Sequence, residues 1–144
     1  MKPANKTKHT LLPLAAALVC LLAVGCERTS ILSDVFVSNV SSTECKSDPT
    51  TKGPNVPDSI AIRYINGTVF VEHYNLAVNC ETETVDVRVS TSNDTIYVME
   101  IGDGDANCIC EIDNFYQINN VTRGTYTIVI EPYTPTAYQQ TLTF

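Results

Sequence analysis

CICEIDNFYQINNVTRGTYTIVI, running from Cys108 to Ile130, holds two strand-like runs joined by a turn. Cys108 and Cys110 lie two residues apart, so on a strand their side chains share one face. Cys108 to Ile118 reads as one strand, and Asn119 to Gly124 turns the chain. Tyr126, Ile128 and Ile130 then alternate with Thr127 and Val129, which puts the larger apolar set on the inward face of a second strand. Pro132 and Pro135 break that run, because proline has no N–H to give to a sheet ladder.

The neighbouring segments read the same way. Val85, Val87 and Val89 alternate with Asp86, Arg88 and Ser90, the pattern of a strand with one wet face. Ser92-Asn93-Asp94 turns, Thr95 to Ile101 returns as the partner, and Gly102-Asp103-Gly104-Asp105 ends it. Asn66-Gly67 separates β-rich runs at 60–65 and 68–78, and this pair suits a hairpin turn whose two central residues need positive φ. The second of these runs is long for one strand, so a bend or bulge is expected near Tyr74-Asn75. A first strand is expected over Asp34–Val40 and a last one over Thr136–Phe144, with Tyr138, Leu142 and Phe144 on one side. Between the first two strands, 41–58 is a polar loop carrying Pro49, Pro54 and Pro57, pinned at Cys45. No helical period appears outside the first segment. The expectation is an all-β, antiparallel β-sandwich domain over 34–144.

That first segment has a different character. Lys2, Lys6 and Lys8 precede an apolar run from Leu11 to Val24, which is short for a membrane span and has the order of a secretory signal over 1–25. Leu22-Ala23-Val24-Gly25-Cys26 resembles a bacterial lipobox. The resemblance implies cleavage before Cys26, lipidation of Cys26, and a lipidated tether over 26–33. Cys20 follows bulky Val19 and fits the pattern less well. Several acyl chains on one residue hold a protein firmly in a bilayer, where a single chain binds marginally.

Cleavage removes three of the nine basic residues and none of the sixteen acidic ones, so the net charge moves from −7 to −10. Such a surface repels nucleic acid and anionic lipid, and argues against a nucleic-acid partner. With Cys20 removed and Cys26 lipidated, Cys45, Cys80, Cys108 and Cys110 remain. An even set in an exported chain reads as two disulfides. The 85–101 hairpin brings the residues before Thr84 close to those after Ile101. This favours Cys80–Cys108 with Cys45–Cys110 and leaves the swapped pairing open. A zinc–thiolate site would suit a reducing compartment better than this address.

The chemistry-bearing residues are few. Asp103, Asp105 and Asn107 have the alternation of the start of a calcium loop, with Glu100 as a further ligand. Cys108 stands where that loop needs glycine, and Asn114 where it needs glutamate, so the metal site is at most partial. His73 has no nucleophile elbow beside it, and no Ser-His-Asp arrangement is visible. No cofactor is expected, and the chain reads as non-enzymatic; a hydrolase would need a clustered acid–base pair. Tyr64, Phe70, Tyr74, Tyr97, Phe115, Tyr116, Tyr133 and Tyr138 lie mostly on strands. Packing accounts for most of them, and a glycan- or protein-binding face is the alternative.

Two further resemblances follow from these residues. Val121-x-x-Gly124-x-Tyr126-x-Ile128-x-Ile130 resembles the corner and strand of immunoglobulin-like domains, where a tyrosine bonds back to the corner backbone. The tryptophan of antibody domains is absent, so the resemblance carries only the general architecture. The lipobox, the short all-β body and the C-x-C-x-x-D run at Cys108, Cys110 and Asp113 resemble small Bacteroidetes-type lipoproteins, NigD-like in style. This resemblance implies an outer-membrane, lipid-anchored protein, with its surface or periplasmic side left open. It also implies O-glycosylation at Asp-Ser/Thr-apolar sequences, which occur here at Ser59 and Thr95. The expected function is a non-enzymatic binding or structural module with an envelope protein or glycan as partner. The alternative is a periplasmic inhibitor or binding module for a basic secreted protein or peptide.

Overall fold

The computed structural model describes residue 32 and residues 34–46, 57–132 and 137–144. The expected signal segment 1–25, Cys26 and all of the expected tether except Leu32 lie outside the described residues, as do Pro49, Pro54, Tyr133 and Pro135. Leu32, placed in the tether by sequence, packs into the core, and its carbonyl accepts a hydrogen bond from Thr91 Oγ1 at 3.2 Å.

The described residues form eight strands and no helix. They are β1 (Phe36–Ser42), β2 (Ser59–Ile65), β3 (Thr68–Asn79), β4 (Val85–Ser92), β5 (Thr95–Gly102), β6 (Ile109–Asn119), β7 (Thr125–Glu131) and β8 (Tyr138–Thr143). One sheet has the order β1-β6-β3-β2 and the other β4-β5-β7-β8. The β6 and β7 strands of the opening stretch thus belong to different sheets, and the 120–124 corner carries the chain from one to the other.

One pairing departs from the antiparallel expectation. β5 and β7 run parallel, with Ile96 opposite Ile128 and Val98 opposite Ile130. The reason is topological. β6 lies in the other sheet between them in sequence, and each crossing reverses the chain, so two reversals return β7 to the direction of β5.

Alternation fixes the faces. Val69 and Val71 on β3, Ile96 and Val98 on β5, Ile112, Tyr116 and Ile118 on β6, and Ile128 and Ile130 on β7 are all buried between the sheets. Burying a side chain of this size contributes about 1.5–3 kcal/mol. The β2–β3 hairpin turns at Asn66 (φ 50°) and Gly67 (φ 87°), as the Asn-Gly pair requires. The bend expected in the long third strand is a register shift between His73 and Leu76, with Asn75 at φ 57°. β1 has a second shift between Ser38 and Ser41, with Asn39 at φ 52°.

The disulfides are Cys45–Cys110 and Cys80–Cys108. Both lie at the end of the molecule where β3 finishes and β6 starts. β1 begins at the opposite end, where Phe36 pairs with Asn119. The corner differs from the resemblance. Tyr126 lies across Gly124, where an added Cβ would come within 2.8 Å of its hydroxyl. That hydroxyl bonds Thr122 Oγ1 at 2.8 Å rather than the backbone. The corner carbonyl of Val121 is taken by Tyr64 of the opposite sheet, at 3.1 Å. Tyr64 in turn stacks on Phe144, with ring centroids 4.5 Å apart.

Candidate functional site

A polar cluster sits inside the sandwich. His73 occupies the inward register of Val69 and Val71, Glu100 that of Ile96 and Val98, and Asn114 that of Ile112 and Tyr116. All three are buried. His73 Nδ1 lies 2.7 Å from Glu100 Oε2, joining β3 of one sheet to β5 of the other. Asn114 Nδ2 donates to Glu100 Oε1 at 3.1 Å, and Ser42 Oγ donates to Asn114 Oδ1 at 3.0 Å. Asp58, half-exposed, approaches His73 Nε2 at 3.4 Å. Burial works against a charged His73, but the hydrogen bond and charge of Glu100, joined by those of Asp58, outweigh it and raise its pKa above 6.5. Burial and then the Glu100 charge push the Tyr116 hydroxyl well above its ordinary value.

This is the clustered acid–base pair that the sequence did not reveal, although alternation alone places each member inward. Its chemistry is limited by access. The side chains of His73 and Glu100 are both fully closed to solvent. The pair can hold a proton and tie two sheets together, but no substrate atom can reach it as it stands.

Glu100 is therefore not beside the partial calcium loop; it points into the core. Asp103 accepts from the backbone N–H of Glu83 at 3.0 Å and of Thr84 at 3.4 Å, and from Thr84 Oγ1 at 3.2 Å. Burial opposes ionisation at Asp103, yet the Thr84 and Glu83 amides outweigh it and hold the carboxyl below its usual range. Its oxygens clamp the turn after Cys80 to the loop before Cys108. Asp105 and Asn107 are exposed on that loop. Among the described residues no group of three His, Cys, Asp or Glu side chains is placed to hold a metal ion.

The two glycosylation candidates both begin strands. Ser59 opens β2, exposed, beside a cleft of about 370 Å³ bordered by Asp58, Ile60, Ala137 and Tyr138. Thr95 opens β5 after the Asn93 turn and is half-buried.

The outer face of the β1-β6-β3-β2 sheet carries the other notable site. Phe70 and Glu72 of β3 lie opposite Gln117 and Phe115 of β6, so aromatic and polar side chains form a two-by-two checkerboard. Asn39 and Ser41 of β1 complete a groove of about 290 Å³ over them. The β1 bulge brings Asn39 Nδ2 to Gln117 Oε1 at 2.9 Å. Tyr74 meets Phe115 edge to face, centroids 6.0 Å apart, and its hydroxyl donates to Glu72 Oε2 at 2.6 Å. Arg63 pairs with the other Glu72 oxygen. Hydrogen bonds from Tyr74 and then Arg63 lower the Glu72 pKa. Sequence placed these aromatics on strands but not together, because cross-strand register was not available to it. Comparisons of the chain with family models, with curated proteins and with solved structures found no match.

Proposed function

We propose that this chain is a cell-envelope lipoprotein, anchored in the outer membrane through Cys26, whose immunoglobulin-like body is a non-enzymatic binding or structural module in the style of small Bacteroidetes-type lipoproteins. The lipobox and the two disulfides support the exported, anchored part of this reading. The observation that carries the binding part is a contrast of access. The acid–base pair His73–Glu100 is sealed, while the aromatic and polar groove on the outer sheet face is open. Ser59 and Thr95 are the O-glycosylation sites of this proposal; Ser59 opens β2, and Thr95 opens β5 after the Asn93 turn.

A second reading has its own support. Glu81, Glu83, Asp103 and Asp105 are exposed at the disulfide end, which suits a periplasmic module for a basic secreted protein or peptide. Binding of such a partner would weaken steeply with salt.

Membrane fractionation and protease shaving of whole cells, comparing wild type with Cys26→Ala, test the address. Wild type is expected in the membrane fraction and Cys26→Ala outside it. Shaving of the wild type indicates the cell surface, and protection indicates the periplasm. Identical fractionation of the two chains overturns the lipoprotein reading.

A further inference from the structure

The groove on the outer face of the β1-β6-β3-β2 sheet has a lining that selects among ligands. We infer that it takes one neutral pyranose ring of a glycan. The inference rests on the binding-module reading above and names its ligand class.

The geometry suits a ring with an apolar face and a hydroxylated rim. Phe115 and Phe70 stand diagonally on β6 and β3, because Phe115 faces Glu72 and Phe70 faces Gln117 across the same pair of strands. Both phenylalanines are half-buried and line the groove, and aromatic rings so placed suit stacking against sugar C–H groups. The Asn39 and Gln117 amides, joined to each other at 2.9 Å, and the Ser41 hydroxyl lie around the two rings; the Gln117 NH2, the second Asn39 N–H and the Ser41 O–H are the groups left to meet vicinal hydroxyls. Ligand pockets generally run about 300–1,000 Å³. A groove of about 290 Å³ is the size for one ring and its immediate neighbours rather than a long buried ligand.

Two bulges frame the site. Asn39 on β1 and Asn75 on β3 both take left-handed backbone conformations, at φ 52° and 57°. Bulges re-aim side chains at binding sites. Here the first turns the Asn39 amide onto Gln117, and the second begins just beyond Tyr74, which braces Phe115.

Charge separates a neutral ligand from the alternatives. Sixteen acidic residues dominate the chain, but at this groove Glu72 and the neighbouring Asp113 are compensated. Glu72 pairs with Arg63, and Asp113 pairs with Lys46, whose Nζ also reaches Asn75 Oδ1 at 2.9 Å. A cationic peptide finds its carboxylate partners already engaged. An anionic ligand meets the field of the whole acidic chain. A polyhydroxylated neutral ring meets neither cost.

The test uses the mature lipidated protein reconstituted in vesicles of neutral lipid, offered to beads carrying neutral mannan, glucan, galactan or xylan. Retention on at least one polymer is expected, unchanged at high salt and reversed by the free polymer. Phe115→Ala and Gln117→Ala should each weaken it about tenfold, while Tyr97→Ala on the other sheet leaves it unchanged. Gln117 is the safer variant, since removing a surface amide leaves the strand's packing intact, and an unchanged melting temperature checks this. Retention on none of the polymers overturns the inference, as does retention that salt abolishes or that both groove variants preserve. The anchoring of the same preparation is scored separately against Cys26→Ala. A protein that anchors and retains no polymer loses the glycan site and keeps the envelope reading, and one that binds without anchoring does the reverse.

Discussion

His73 on β3 and Glu100 on β5 meet at 2.7 Å with both side chains closed to solvent, so their hydrogen bond spans the two sheets of the sandwich. Asn114 and Ser42 extend it through two more strands. A buried carboxylate is tolerated in a core of valine and isoleucine only when its oxygens are answered, and both Glu100 oxygens are.

Removing one partner should therefore cost more than removing both. Glu100→Ala is expected to destabilise the fold by about 3–5 kcal/mol, because it leaves His73 Nδ1 and Asn114 Nδ2 buried without the carboxylate that answers them. The paired change His73→Leu with Glu100→Met should recover most of that loss. Urea unfolding of the three proteins measures it. Equal losses for the single and the paired variant would show that the pair is not an energetic unit.

The same pair makes stability depend on pH. His73 has its folded pKa raised above 6.5 by Glu100 and Asp58. The folded state thus holds the proton more tightly than the unfolded chain does. This contribution is fully present below about pH 6.5 and is lost as pH rises through the folded pKa. The urea midpoint should fall over that upward range, and a His73→Gln variant should show a flatter profile. His9 and His73 are the two histidines of the sequence, so in a protein that starts at residue 26 the histidine ring NMR signals belong to His73 alone and their titration reports its pKa directly.

The two disulfides close loops of different size. Cys45 and Cys110 are 65 residues apart, and Cys80 and Cys108 are 28 apart. In the chain-entropy account each contributes about 4 kcal/mol, with the larger share from the longer loop. Replacing Cys45 and Cys110 by serine should lower the melting temperature slightly more than replacing Cys80 and Cys108. Peptide mapping under non-reducing conditions checks the pairing itself.

Gly67 sits at φ 87°, and an added Cβ there would meet nothing closer than the Val121 carbonyl at 3.8 Å. Space is available, so Gly67→Ala should cost only the left-handed backbone penalty, about 1–2 kcal/mol, with the sheet otherwise unchanged. A larger loss in thermal unfolding would mean that the hairpin register itself had shifted.

Most of the strands were legible in the chain because the signals for them are local. Val85-Val87-Val89 states which face of β4 is wet, Asn66-Gly67 states where β2 becomes β3, and the length of β3 announces its bulge. The same alternation also placed His73, Glu100 and Asn114 inward, but a polar residue at an inward position reads as an interruption until its partner is known. For each of these three residues a partner lies on a strand of the other sheet. By sequence Glu100 and Asp103 are at most members of a partial calcium loop, whereas in the structure Glu100 bonds His73 and Asn114, and Asp103 accepts from the Thr84 and Glu83 amides.

The β-strand series, the turns and the preferred cysteine pairing follow from residue order, since each depends on neighbours a few positions away or on one hairpin. Assembly settled the rest: the parallel β5–β7 pair, the closed His73–Glu100 contact, the Tyr64 bond to the Val121 carbonyl and the checkerboard of Phe70, Glu72, Phe115 and Gln117. These depend on which strands lie side by side and in what register. Register is set by the sum of packing over a whole sheet, and no short run of residues contains it.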